Sequence, residues 1–228
     1  MSFDRTEFRA GHRAALPLLM GVMPFGLVTG VAMVANGIGP LPAMGLSVLV
    51  FAGASMIAAG QLLAAGTPAA MILLAVLFIN LRHVMYSASL RQQFAGLPLR
   101  LRALMGYLLA DNVYALAITR HAEHPRVEGL VPYYFGAALT IWTGWQASVA
   151  AGLAVGAGLP AAWKLEFAAP LAFVAITIPL LRDRAMVAAA IAAAITVVLA
   201  QGLPFRLGLP LAGVVGIAVG MLVERKPA

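Results

Sequence analysis

The sequence contains no cysteine, and only 10% of its 228 residues are charged. Without cysteine the chain has no disulfide framework, no thiol nucleophile and no thiolate ligand for a metal. It also lacks a nucleophile elbow, a phosphate-binding loop and a metal-binding histidine pair, so we expect neither an enzyme nor a bound cofactor. Soluble globular domains carry ~25% charged residues, and so low a fraction indicates another class of protein.

Apolar residues take the place of the missing charge, and 62% of the chain is hydrophobic. Eight apolar stretches of roughly 18–25 residues can be marked, each long enough to cross a ~30 Å hydrocarbon layer. The composition predicts an all-α integral membrane protein of seven or eight transmembrane helices, with the whole chain, 1–228, as a single domain. We number the stretches segments 1 to 8, at residues 14–35, 41–65, 67–90, 101–119, 131–155, 165–181, 185–201 and 205–223.

Proline and glycine predict kinked or broken helices within this bundle. In segment 1, Pro24 and Gly26 favour either a broken helix that exposes backbone groups to a solute or a tightly packed helix. In segment 2, Gly53 and Ser55 allow the backbone to approach a ligand or a neighbouring helix. A weak internal similarity relates segments 1 and 2 to segments 5 and 6, as in the repeated halves of secondary transporters.

The basic residues predict an orientation. The net charge is +7, but these residues stand singly at the ends of apolar runs, so we expect a lipid bilayer around the chain and no nucleic-acid partner. Residues 1–13 mix arginine with phenylalanine, which predicts a short interfacial segment on the cytoplasmic face of a bacterial inner membrane. With eight spans and a cytoplasmic N-terminus, nine Lys and Arg residues lie inside. The five outside are Arg91, Arg100, Arg102, Lys164 and Arg206.

The three arginines between segments 3 and 4 are therefore on the side that the positive-inside rule disfavours. If segment 2 or segment 3 were re-entrant, the chain would have seven spans, and its C-terminus would lie outside. We expect a cytoplasmic N-terminus in either case and leave the side of the C-terminus open.

Polar residues inside apolar segments are the candidates for a solute pathway. An arginine near the bilayer centre costs roughly 2.5–3.5 kcal/mol on insertion scales, so it requires a partner, a water-filled cavity or a functional role. Arg82 and Asp111 are expected either to line a solute or proton pathway or to form a structural ion pair. Further candidates are Asn80, His83 and Asn112 beside them, Trp142 and Gln146 within segment 5, and Glu166 at the start of segment 6.

Several motifs follow one another in a fixed order: GVMPFG at 21–26, AGAS at 52–55, Asn-Leu-Arg-His at 80–83, the pair at 111–112, Trp-Gln at 145–146 and Leu-Glu-Phe at 165–167. In this order they resemble the AzlC/YgaZ family, the large subunit of branched-chain amino-acid exporters. The resemblance covers about residues 10–185. The chain departs from the family's common Gln, Glu and Asp at Met56, Asn112 and Glu166.

The resemblance implies an ion-coupled secondary transporter that exports branched-chain or other hydrophobic amino acids, namely Val, Leu, Ile or Met. It also implies a small membrane partner of the AzlD/YgaH type. Arg82, Asn80 and backbone N–H groups would then bind the carboxylate, while Asp111 or His83 would serve the ammonium group or a proton. The alternative is a membrane channel or structural subunit in which Arg82 and Asp111 form a packing ion pair.

Overall fold

The computed structural model describes residues 4–124, 127–158, 181, 183–200 and 208–224. Within these residues the protein is helical and contains no strand, as the composition predicts. A 3₁₀ turn, Leu16–Leu18, joins the first two helices. In this part of the chain the α-helices are α1 (Arg5–Ala15), α2 (Leu19–Ala35), α3 (Pro40–Val50), α4 (Gly53–Ala64), α5 (Ala69–Leu90), α6 (Leu99–Tyr107), α7 (Asp111–Glu123), α8 (Val127–Gly158), α9 (Arg184–Leu199) and α10 (Gly208–Glu224).

The helices α1 and α2 form one rod of 31 residues, Arg5–Ala35. Asp4 caps its start by accepting a hydrogen bond from the backbone N–H of Thr6, at 2.8 Å. Pro24 lies within α2 and is exposed, and the helix continues through it. The loss of one backbone hydrogen bond is tolerated because the opposite face of α2 packs against α8. The predicted break in segment 1 is therefore wrong, and the alternative, a tightly packed helix, is confirmed.

This rod lies alongside α8, and the two helices meet along a seam of glycines. At each seam glycine, an added Cβ atom would overlap the facing helix, so the backbones approach closely. The residue numbers of the facing positions increase together over the length of the seam, and the two helices are therefore parallel. The facing pairs are Phe8 with Gly136, Gly11 with Tyr133, Gly26 with Ser148, Leu27 with Gly152, and Gly30 with Val149.

Segment 2 is not one helix but two, α3 and α4, with a break at residues 51–52. The first of them, α3, leaves the C-terminal end of α2 through only four residues, 36–39. It then runs back along the bundle, so that Ser47 near its end contacts Gln146, about halfway along α8. The break therefore lies in the middle of the bundle.

The second helix, α4, returns to the end from which α3 came. At its start, a Cβ atom on Gly53 would lie 2.6 Å from the ring of Phe25, in the middle of α2. About one turn before its end, Gly60 faces Met33, close to the C-terminal end of α2. Because α4 runs parallel to α2 and α3 runs antiparallel to it, segment 2 enters and leaves at one end of the bundle. We call α3 and α4 hairpin 1.

Segment 4 is split in the same way, into α6 and α7, with a break at residues 108–110. At the end of α6, the Tyr107 hydroxyl donates to the carbonyl of Val48 in hairpin 1, at 2.6 Å. From the break, α7 runs towards α1, where Arg120 forms a 2.7 Å salt bridge with Glu7. We call α6 and α7 hairpin 2, and it enters from the end of the bundle at which α1 begins.

Between the two hairpins, α5 runs from the end where hairpin 1 returns to the end where hairpin 2 enters. The units α2–α4 and α5–α7 each consist of a long helix followed by a hairpin, and they run in opposite directions. Such inverted repeats are common in secondary transporters. The predicted similarity of segments 1 and 2 to segments 5 and 6 is a different repeat and stays a prediction, because residues 159–180 lie outside the described residues.

The hairpins change the predicted distribution of positive charge. The Phe94 ring lies 5.9 Å from Tyr134, so loop 91–98 lies at the end of the bundle where α1 begins. The predicted placement of Arg91, Arg100 and Arg102 opposite the N-terminus is therefore wrong. Among described residues up to 158, the arginines at this end are Arg5, Arg9, Arg13, Arg91, Arg100, Arg102 and Arg120, and connections 36–39 and 65–68 at the other end carry none.

Seven or eight straight spans are not confirmed. By length and composition, two helices in the described residues can cross a membrane, Arg5–Ala35 and Ala69–Phe94. Segments 2 and 4 are too short to cross a membrane as single helices, because each is interrupted. Segments 7 and 8 correspond to α9 and α10. Segment 6, with Glu166, lies outside the described residues.

Because the chain has no cysteine, single cysteines can report on which side each connection lies. We expect a membrane-impermeant maleimide to label Gly39→Cys and Ala65→Cys from one side of the membrane and Ala95→Cys from the other. All three positions are exposed. Eight straight spans would instead place positions 39 and 65 on opposite sides, and that result would contradict hairpin 1.

The glycine seam predicts a second result. Gly136→Ala should lower the free energy of unfolding by about 1–3 kcal/mol, because the new methyl group would overlap the backbone of Phe8. Gly21→Ala is the matched control, since a Cβ atom there meets nothing within 4 Å. Thermal unfolding in detergent measures both, and equal stabilities would show that the seam is looser than described.

Candidate functional site

The tips of the two hairpins meet in the middle of the bundle. The hydrogen bond from Tyr107 to the carbonyl of Val48 joins them, and the ring of Tyr107 lies 6.5 Å from that of Phe51. Four helix ends converge here: α3 and α6 finish, and α4 and α7 begin. Interrupted helices leave backbone groups without intrahelical partners, and those groups are available for other interactions.

The end of α3 is held by side chains of α8. Gln146 donates through Nε2 to the carbonyl of Ser47 at 3.2 Å, and its Oε1 accepts from the Ser47 hydroxyl at 2.7 Å. The same hydroxyl accepts from the indole N–H of Trp145 at 3.0 Å. All three residues are buried, so each of these bonds satisfies a group that water does not reach.

Phe51, which follows α3, adopts a left-handed conformation with φ of 44° and ψ of 44°. It is the sole non-glycine residue with positive φ among those described. A bulky side chain in this region costs of order 1–3 kcal/mol and persists only where the surroundings hold it. The burial of Phe51 and its contact with Tyr107 provide that support.

The end of α6 is held by α8 as well. The Tyr134 hydroxyl, fully buried, donates to the carbonyl of Met105 at 2.6 Å. The indole N–H of Trp142 donates to the Tyr107 hydroxyl at 3.1 Å, and that hydroxyl in turn donates to Val48. One straight helix thus fixes the broken ends of both hairpins.

The starts of α4 and α7 have no such caps. The residues at their N-cap positions, Ala52 and Ala110, offer no side-chain hydrogen bond. The N–H groups of a first helical turn carry a partial positive charge and attract anions. At α7 the carboxylate of Asp111 uses part of this potential, since its Oδ1 accepts from the backbone N–H of Asn112 at 2.8 Å.

The Asn-Leu-Arg-His motif of α5 lies beside both starts. The Ser55 hydroxyl in the first turn of α4 donates to Asn80 Oδ1 at 2.8 Å. His83, which packs edge-on to the ring of Tyr86, lies within electrostatic range of Arg82 and Asp111. The structure therefore gathers the predicted residues Ser55, Asn80, Arg82, His83, Asp111 and Asn112 around the hairpin tips.

Arg82 is the half-buried cation of this group. Its Nε atom is buried and has no hydrogen-bond partner among the described residues. In the described part of the chain, Arg82 and Asp111 form no ion pair. The salt bridge found there joins Arg120 and Glu7. The hypothesis of a packing ion pair between Arg82 and Asp111 is therefore wrong. A buried donor left unpaired costs about 1–3 kcal/mol, which favours the binding of an acceptor at Arg82.

The remaining predicted residues have other positions. Pro24 is exposed on the outer side of α2, and Gly26 packs against Ser148, so neither presents backbone groups to the hairpin tips. Gly53 is buried at the tip itself. Trp142 and Gln146 both hold the hairpins in place. The sequence predicts that they either line a cavity or pack in the core.

Sequence reasoning missed four residues of this arrangement: Ser47, Phe51, Tyr107 and Tyr134. Tyr134 stands near the start of segment 5 and is buried. No local pattern marks Ser47 or Phe51, because neither is a turn residue. The break in segment 4 did have a usable signal. Asp111 is the first residue of α7, and Asp is common in the first turn of a helix.

Known proteins resemble this chain over the same region. The family model described as AzlC protein matches residues 17–159, which include both hairpins. The inner membrane protein YgaZ of Escherichia coli (strain K12) is 29% identical over 153 residues, 67% of this chain and 62% of that protein. An uncharacterized membrane protein of Archaeoglobus fulgidus is 30% identical over 152 residues, 67% of this chain and 64% of that protein. The chain thus spans less than two thirds of the length of these curated relatives, and no solved structure matches it.

The bond between Gln146 and Ser47 predicts a loss of stability on substitution. Gln146→Leu keeps the volume but removes the acceptor of the buried Ser47 hydroxyl and the second donor of the Ser47 carbonyl, so the free energy of unfolding should fall by about 1–3 kcal/mol. Thr143→Ala is the control, because its exposed hydroxyl bonds only within α8. Thermal unfolding in detergent distinguishes the two, and an unchanged Gln146→Leu would mean that α3 does not need this cap.

Proposed function

The chain belongs to the AzlC protein family, whose model matches residues 17–159, and from this premise we propose that it is a secondary transporter. Its substrates would be branched-chain or other hydrophobic amino acids, exported across the inner membrane and coupled to an ion. Relatives of this chain are named as membrane proteins, and one of them as an inner membrane protein. Exporter activity and amino-acid specificity come from the family resemblance and are proposals for this chain.

The observation that carries the proposal is the meeting of two oppositely directed hairpins beside Arg82. In secondary transporters, substrate sites commonly lie near the membrane midplane, where discontinuous helices of inverted repeats meet. Hairpin 1 and hairpin 2 have this arrangement, and the uncapped starts of α4 and α7 lie at their tips. A site placed there would be reached from either side by movement of one hairpin.

A zwitterionic amino acid needs partners of both signs. Arg82, with its unpaired Nε, and the N–H groups at the start of α4 would bind the carboxylate. Asp111 is exposed and would accept the ammonium group. The apolar, small residues around Gly53 would suit an aliphatic side chain. Histidine is the side chain whose ordinary pKa lies nearest neutrality, so His83, or else Asp111, would carry the coupling proton.

The proposed orientation and partner follow from the surface of the bundle. Positive charges favour the cytoplasmic side, so the arginine-rich end, with the N-terminus and loop 91–98, would face the cytoplasm. The outer face of α5 is apolar, with Leu73, Leu77 and Val84 each more than 60% exposed. This face would contact lipid or the small AzlD/YgaH-type subunit that the family resemblance implies.

Leucine and valine efflux from proteoliposomes, with and without the small subunit, tests this proposal. We expect Arg82→Gln and Asp111→Asn each to reduce efflux by about tenfold or more, because each removes a charge-assisted hydrogen bond worth ~1.5–3 kcal/mol. Arg100→Gln removes an exposed arginine away from the hairpin tips and should leave the rate unchanged. Wild-type rates in both site variants, with active wild-type protein, would remove these residues from the pathway. No efflux of any hydrophobic amino acid by wild type with its partner would overturn the function itself.

A further inference from the structure

A cavity lies at the arginine-rich end of the bundle, between α5, α6 and α8. Its volume is about 370 Å³, and it opens to the surface. Val84 and Leu109 line it, and Tyr134 lines the side formed by α8. The lining is almost entirely apolar, so the cavity suits a hydrocarbon group better than a solvated ion.

Two arginines are the charged residues of this lining, Arg91 at the end of α5 and Arg102 in the first turn of α6. Both are exposed, and neither takes part in a salt bridge within the described residues. Within the described ranges, no aspartate or glutamate lines the cavity. It therefore offers two guanidinium groups to an anion and no partner to an ammonium group, which makes it unsuitable for a zwitterionic amino acid.

The surroundings of the cavity indicate how an anion would lie in it. The other arginines at this end of the bundle place Arg91 and Arg102 at the level expected for lipid headgroups. Val84 belongs both to the cavity and to the exposed apolar face of α5, with 64% of its surface accessible, so a chain longer than the cavity can continue along that face. Guanidinium groups bind phosphate oxygens in bidentate fashion, which favours a phosphate head.

We propose that this cavity binds one anionic phospholipid, with its phosphate between Arg91 and Arg102 and an acyl chain against Val84 and Leu109. Because Leu109 belongs to the tip of hairpin 2 and Val84 belongs to α5, the lipid would hold hairpin 2 against α5. Basic pockets between transmembrane helices recognise acidic lipid headgroups in this way. The proposal does not depend on which solute the protein carries.

Native mass spectrometry of the purified full-length protein tests this, with phosphatidylglycerol and phosphatidylcholine of identical acyl chains as probes. We expect wild type to retain phosphatidylglycerol in preference to phosphatidylcholine. The double variant Arg91→Gln/Arg102→Gln should bind it about 30-fold more weakly, since each basic residue near an acidic lipid surface contributes roughly a factor of five. Arg100→Gln, which removes a neighbouring arginine that does not line the cavity, should bind as wild type does.

A cavity-filling variant separates the acyl chain from the charge. A Cβ atom on Gly106 would meet nothing within 4 Å, so Gly106→Leu fills the cavity without displacing the backbone and should weaken binding while both arginines remain. Equal binding of the two lipids, or unchanged phosphatidylglycerol binding in both the double variant and Gly106→Leu, would overturn the proposal. Displacement of the lipid by inorganic phosphate would assign the site to a free anion, and displacement by leucine would assign it to the transport pathway. Either result also overturns it.

Discussion

The structure depends on how α8 satisfies the backbone at two broken helices. Away from water, each unpaired carbonyl costs several kcal/mol, so an interrupted helix is stable only where other groups pair with its exposed ends. Gln146 accepts from the buried Ser47 hydroxyl and adds a second donor to the Ser47 carbonyl, and Tyr134 pairs with the carbonyl of Met105. Tyr107 connects the hairpins to each other through Val48. Without these bonds, straight helices would be the more stable arrangement, and the site at the hairpin tips would not form.

The seam of glycines explains why α8 can serve as this support. The close contact between the α1–α2 rod and α8 extends from Gly11 of the rod to Gly152 of α8. This contact fixes the position of α8, and therefore also the position of the side chains on its opposite side. The same reasoning applies to the Phe51 backbone. Its left-handed conformation is tolerated because the ring is buried and held against Tyr107. A strained backbone at Phe51 thus lies next to a closely packed helix, which holds it in place.

Sequence patterns predicted the helical class and the extent of α5, while the roles of Arg82 and Asp111 stay predictions. A re-entrant segment 2 was one of two alternatives, but the hairpin in segment 4 was not predicted, because hydropathy measures apolar length and not direction. A crossing helix and two half-length helices that turn back have the same composition. Pro24 drew attention to segment 1, yet proline is tolerated where the rest of a helix is well packed. The break at Phe51 depends on a partner almost a hundred residues away, Gln146, and local patterns cannot show that. Arg91, Arg100 and Arg102 did carry the information, since their position conflicted with eight straight spans.

For the transport proposed above, the inverted relation between the α2–α4 and α5–α7 units has a consequence for direction. Each compartment would face a hairpin of the same construction, and a solute at the tips would meet comparable barriers on the two sides. Geometry of this kind does not by itself act as a one-way valve. Net flux would then follow the electrochemical gradient of whatever ion is coupled to the solute, and reversing that gradient should reverse the flow.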